Sequence, residues 1–231
     1  MKTLLGKWKW YEILFLSIGE VAIVASFIFS TDKNWLSLIT SMIGVFIVMG
    51  TAKGLVIAPF INIIFNILYS IVSISQKYYG EAIIYIFMMM PIAIFTIVQW
   101  IKNKNPEKQE EVLVGGMKKK EYPILAVATI VLSFAFYFLL KALNTNELVV
   151  STISLVTSVV ASYLLIRRSS YYAIGFVLND IVLIVLWGIA ATKDISVLPQ
   201  SICFAAFLLN DAYGFVRWKM EEKKQKKKDK N

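Results

Sequence analysis

Two Asn-Asp pairs, Asn179-Asp180 and Asn210-Asp211, sit inside long apolar stretches of the chain. In hydrocarbon a polar group without a partner is costly and a charged one more so, and such residues must face protein or water. At about 1.5 Å per residue, Asp180 lies roughly 13 Å from the start of its segment and Asp211 roughly 11 Å from the end of the next. The two segments run antiparallel, which sets both pairs at one depth. Carboxylates and carboxamides gathered this way form a hydrogen-bonding ring for a polar or cationic solute, or a network that fixes how two helices pack. Two buried carboxylates are also the raw material for a coupling proton or for a di-aspartyl intramembrane enzyme.

A second set lies earlier. Asn62, Asn66, Tyr69, Ser73 and Gln76 recur at spacings of 4, 3, 4 and 3, which puts all five on one helical face. A polar stripe along a whole membrane helix reads as the lining of a pathway; the competing role is a helix–helix interface held by amide hydrogen bonds. Trp187 follows Asp180 by seven residues and Tyr172 precedes Asn179 by seven. An aromatic ring beside amides and carboxylates suits a flat or cationic heterocycle. For Trp187 an interfacial belt is the alternative, and that belt accounts for Trp8, Trp10, Trp35, Trp100 and Trp218. Gln200, Phe204, Phe207, Asp211 and Gly214 share a face, with Asn210 and Tyr213 beside it. The run Met88-Met89-Met90-Pro91 reads as flexible packing next to a proline kink.

Other chemistries are disfavoured by what the chain lacks. It has no histidine, and Cys203 is its one cysteine, inside an apolar run. Disulfides, cysteine-rich metal sites and histidine-based general bases are thereby excluded, and Cys203 reads as a small core residue. No phosphate-binding glycine loop is present, which disfavours pumping by ATP. The expectation is a protein that is not an enzyme and needs no cofactor or metal.

The elements that carry these residues are membrane helices. Of the 231 residues 58% are hydrophobic and 17% charged. The apolar content arrives in runs of roughly 18 to 22 residues, about what a helix needs to cross ~30 Å of hydrocarbon. Eight segments are predicted, at 12–30, 35–52, 55–75, 81–101, 123–143, 147–166, 171–191 and 197–218. Lys2, Lys7 and Lys9 precede the first as in a signal peptide, but no small-x-small cleavage site follows, and an uncleaved helix is expected. Glu20 near its middle marks it as packed against protein. With the N-terminus inside, 20 of the 24 lysines and arginines fall on cytoplasmic segments, and only Lys33, Lys77, Lys141 and Lys193 fall outside. The net charge of +9 therefore sets topology and touches anionic lipid; it does not point to nucleic acid. From Glu221 onward a charged tail is expected to be solvated or frayed.

Segments two to four and six to eight repeat one another. Asn34 matches Asn146, Phe65-Asn66-Ile67-Leu68 matches Leu178-Asn179-Asp180-Ile181, and Val98-Gln99-Trp100 matches Val216-Arg217-Trp218, at spacings of 112, 113 and 118. One segment separates the triplets, so both enter the membrane in the same sense, as in transporters built from parallel repeats.

The last helix makes this specific. Leu198-Pro-Gln-Ser-Ile-Cys-Phe followed by Asn210-Asp211-x-Tyr213-Gly214-Phe215-x-x-Trp218 resembles the final helix of the PnuC family of nicotinamide riboside transporters. Tyr79-Gly80-Glu81, Pro91 and Gln99-Trp100 resemble that family's helix closing the first triplet, and Asn179 and Trp187 its penultimate helix. The resemblance covers about residues 34–220. It implies an all-α polytopic membrane protein: two parallel three-helix repeats joined by a connecting helix, like the SWEET sugar transporters, plus an extra N-terminal helix. The corresponding divisions are 1–33, 34–101, 102–145, 146–218 and 219–231. It further implies facilitated uptake of nicotinamide riboside through the inner (plasma) membrane, with phosphorylation inside trapping the substrate; thiamine or riboflavin is the alternative cargo. By this resemblance the substrate touches Tyr69, Gln76, Asn179, Trp187, Gln200, Asn210 and Tyr213. Asn66, Asp180 and Asp211 join them from the polar faces described above. A homo-oligomer is left open.

Overall fold

The computed structural model describes residues 7–30 and 33–228. Lys2 and Lys230, counted in the basic asymmetry above, lie outside the described residues, as do the rest of 1–6, 31–32 and 229–231.

Apolar runs with no water to bond their backbone must satisfy it internally, and here they do so as helix. Among the described residues eight helices are long and apolar enough to cross a membrane: α1 (Trp10–Phe29), α2 (Trp35–Ala52), α3 (Ala58–Ser75), α4 (Tyr79–Lys102), α5 (Glu121–Ala142), α6 (Leu148–Ile166), α7 (Tyr172–Lys193) and α8 (Ile195–Lys228). Local chemistry sets their ends. Asn34 starts α2 by accepting the Ser37 N–H at 2.9 Å. Pro59 occupies the first turn of α3, where its missing N–H costs little. Asp194 accepts the Ser196 N–H at 2.9 Å as the chain turns into α8.

The kink expected at Pro91 takes the form of a π-helical turn over Tyr85–Met89, with the Met90 N–H reaching back to the Tyr85 carbonyl. Proline offers no donor to the preceding turn, and widening that turn absorbs the mismatch. Tyr85 and Met89 are both buried as a result.

Six helices close into a ring in the order α2, α3, α4, α6, α7 and α8, with α8 returning to α2. The other two lie outside it: α1 against α2 and α8, α5 against α6. On α5 only Phe136 and Leu140 are buried, while Ile124, Val127, Val131, Phe134 and Phe138 face outward. The α6–α7 crossing requires Gly175, because a Cβ there would come within 2.9 Å of the Ala161 Cβ and 3.0 Å of its Cα.

One end of the ring is strapped. The connection between α4 and α5 lies across it, with Val112 N–H donating to the Gly54 carbonyl at 2.9 Å and Val56 N–H to Glu110 at 2.9 Å. Gly115 N–H bonds the Arg168 carbonyl at 2.8 Å, and Arg168 Nη1 returns to the Leu113 carbonyl at 3.0 Å. The tail differs from expectation: α8 runs unbroken to Lys228. Ion pairs one turn apart hold it, Lys224 with Glu221 and Lys226 with Glu222, both at 2.7 Å. Lys228 also reaches Glu107 of the strap at 2.6 Å.

Candidate functional site

Inside the ring, in the half nearest the strap, is a cavity to which all six ring helices contribute. Its amides and carboxyls come from three of them. Asn62 and Asn66 come from α3, Asn179 and Asp180 from α7, and Asp211 from α8. The Asn179 carbonyl accepts Thr157 Oγ1 at 2.8 Å and Ser158 Oγ at 3.0 Å, so that side of the amide is committed to α6. Asp180 on α7 and Asp211 on α8 both line the cavity and are almost fully buried. Two buried atoms here have no protein partner, Asn66 Nδ2 and Asp180 Oδ2. Phe65, Tyr85, Phe176, Phe204 and Phe207 supply flat apolar walls. Gly44 on α2 is part of that wall, and a Cβ there would come within 2.7 Å of Phe207 Cζ and 2.9 Å of Phe65 Cε2.

A packed aromatic layer lies at each end of the cavity. At the strapped end Trp100, Trp218, Tyr172, Val56 and Val112 form one buried apolar cluster. The Thr51 carbonyl ties it down, accepting Trp218 Nε1 at 3.2 Å and the Tyr172 hydroxyl at 3.4 Å. Beyond this plug, buried Glu12 of α1 accepts from Lys53, from the Tyr213 hydroxyl at 2.7 Å and from Arg217 Nη1 at 2.8 Å. Arg217 Nη2 continues to Glu111 of the strap at 2.9 Å. Burial pulls the Lys53 ammonium below its ordinary pKa, and its contact with Glu12 opposes that.

At the far end Tyr69 stands among Phe65, Tyr85, Trp187 and Phe204. Its hydroxyl accepts Trp187 Nε1 at 2.9 Å and donates to Glu81 Oε2 at 3.3 Å. Tyr78 packs edge-on against Trp187 and donates to the Leu186 carbonyl.

The structure thus gathers Asn66, Asn179, Asp180 and Asp211 of the expected site around one cavity and distributes the rest. Tyr69 and Trp187 form the far closure, one layer from the cavity. Gln76 caps α3 at its outer tip and donates to Asp194 at 2.8 Å. Gln200 donates to the Ser37 carbonyl at 3.2 Å, pinning α8 to α2. Asn210 faces a groove between α1 and α8, and Tyr213 bonds Glu12 on the same side. The stripe on α3 does face protein along its length, but only Asn62 and Asn66 line the cavity.

The aromatic belt requires correction. Trp10 and Trp35 are exposed, whereas Trp100 and Trp218 are buried in the plug, because the strap covers the helix ends that would otherwise meet the interface. Sequence reasoning named Glu81 only as part of a family motif and not as the buried partner of Tyr69, and it missed the Ser158 and Ser162 face of α6. The regular spacing of Ser151, Ser154, Ser158 and Ser162, all buried, is the signal that marks that face. Among the described residues no group of three His, Cys, Asp or Glu is placed to hold a metal ion.

Residues 34–220 match the family described as Nicotinamide mononucleotide transporter. The chain is 26% identical over 224 residues to the Nicotinamide riboside transporter PnuC of Neisseria mucosa, covering 94% of this chain and 84% of that one. Over 212 residues it is 25% identical to the Nicotinamide riboside transporter PnuC of Haemophilus influenzae, covering 91% and 90%. In fold it is similar to the crystal structure of the Vitamin B3 transporter PnuC, with a TM-score of 0.83, 24% identity, and 96% and 95% of the two chains covered.

Proposed function

Because this chain belongs to the nicotinamide mononucleotide transporter family, we propose that it carries nicotinamide riboside across the plasma membrane down its gradient. The observation that carries the reading is the cavity in the ring, walled by aromatic rings and furnished with Asn66, Asn179, Asp180 and Asp211. A flat heterocycle stacks on such walls, and a ribose needs the amides and carboxyls.

The closures on either side support alternating access, in which the plug and the far aromatic layer open in turn. In this reading α2–α4 and α6–α8 are the two parallel repeats, α5 is the connecting helix and α1 the extra one. The lysine and arginine asymmetry supports a cytoplasmic strapped end with both termini inside. Passive flow needs no coupling ion, and phosphorylation in the cell then keeps the nucleoside from leaving.

Thermal stabilisation of the detergent-purified protein tests the reading, because a ligand of the folded state raises the melting temperature by mass action. Nicotinamide riboside, thiamine, riboflavin and nicotinamide mononucleotide are compared side by side. A shift with nicotinamide riboside that is lost in Asn179→Ala is expected. A shift with thiamine or riboflavin alone would keep the transporter and change its cargo. No shift with any of the four would overturn the reading.

A further inference from the structure

Resting on that reading, we infer that the site selects its solute by charge: the Asp180–Asp211 pair receives the positively charged pyridinium of an N-ribosylated nicotinamide. The cavity lining contains no lysine or arginine, and the chain has no histidine. Both aspartates are almost fully buried, Asp180 1% and Asp211 3% exposed. With no cation on the cavity wall, a negative charge on either carboxyl has no counter-charge there. Asp180 Oδ2 has no protein partner. A buried anion without a counter-charge is costly, and a monocation in the cavity removes that cost.

Independent of the carboxyls, Asn66 Nδ2 is a buried donor without an acceptor on the cavity wall. It suits a ribose hydroxyl or a carboxamide oxygen, which fits an uncharged sugar joined to a charged ring. Phe65, Tyr85, Phe204 and Phe207 add faces attractive to a cation. A phosphorylated nucleotide meets the opposite situation: its added negative charges would face the carboxyls in a low-dielectric site with no cation to receive them.

The discriminating ligand is the reduced, dihydropyridine form of nicotinamide riboside. It keeps the ribose, the carboxamide and nearly the same size, and it is neutral. Binding of both forms to the purified full chain is measured by calorimetry, with Asp180→Asn and Asp211→Asn alongside. The reduced form is expected to bind the native protein about tenfold more weakly, and each variant should bring nicotinamide riboside down toward the reduced form. Equal binding of the two forms to the native protein overturns the charge inference and leaves the transport reading standing. A native preference that persists in both variants overturns the assignment to the aspartates, as would follow if the pair only pins α7 to α8. Failure of the native protein to bind either form overturns the transport reading and this inference with it. The native comparison holds even where a variant fails to fold.

Discussion

Trp187 donates its indole N–H to the hydroxyl of Tyr69 at 2.9 Å, joining α7 to α3 across the far end of the cavity. The same hydroxyl passes a bond to Glu81 on α4 at 3.3 Å, so three ring helices meet at one oxygen. Trp187→Phe and Tyr69→Phe each remove that link and leave an aromatic ring in place. A buried hydrogen bond contributes about 1 kcal/mol, and a double-mutant cycle on thermal unfolding should give a coupling energy of about that size. Additive losses would mean that the two residues do not act through this bond.

At the strapped end the corresponding hub is Glu12, which accepts from the Lys9 N–H as well as from Lys53, Tyr213 and Arg217. Glu12→Ala leaves the Lys53 ammonium, 3% exposed, without its counter-charge. Breaking a buried pair on one side costs about 3–5 kcal/mol, whereas Glu147→Ala, whose partner Lys193 is exposed, should cost about 1 kcal/mol or less. Melting temperatures of the two variants check this, and similar shifts would contradict the burial argument.

Helix α1 shows what was legible in the sequence and what was not. The eight spans follow from hydropathy alone, and the placing of Asp180 and Asp211 on one cavity follows from their equal depth. Polarity marks a face as buried without naming the neighbour, and for Asn210 and Tyr213 that neighbour is α1, outside the ring. Gln200 likewise looked inward along its helix but meets the Ser37 carbonyl of α2. Trp100 and Trp218 sit where the predicted apolar segments end, at 101 and 218, and there belt and plug look alike until the strap is seen to cover them. The strap itself carries no periodic signal, since backbone hydrogen bonds such as Val112 to Gly54 hold it and any sequence can form those.

Gly44 tests the cavity wall. A larger side chain there must displace Phe207 or Phe65, and overpacking of this kind costs about 1–3 kcal/mol. Gly44→Val should still fold and yet lose nucleoside uptake, while Gly116→Ala, with nothing within 4 Å of the added Cβ, should match the native protein. Elution as a monodisperse peak and uptake by the same preparation separate folding from function. Native uptake by Gly44→Val would remove this wall from the pathway.

Acid should loosen the far rim through Asp194. Burial alone would raise its pKa, but hydrogen bonds from Ser196 and Gln76 outweigh that and hold the carboxyl below its ordinary value. A carboxyl depressed in the folded state adds stability that is present above its unfolded pKa of about 3.9 and is lost as pH falls through the folded value. The melting-temperature gap between native protein and Asp194→Asn should be constant from pH 7 to pH 5 and shrink below pH 4. A gap unchanged at pH 3 would show that the Gln76 and Ser196 bonds do not depend on the charge.

The central claim is that the cavity carries nicotinamide riboside without a partner or an energy source. Uptake of the labelled nucleoside into liposomes containing only this protein, with no ion gradient and no ATP, tests it most directly. The account predicts saturable uptake that stops when inside and outside concentrations are equal, and that is abolished in Gly44→Val. Uptake no faster than in protein-free liposomes, from protein shown to be folded, would contradict it.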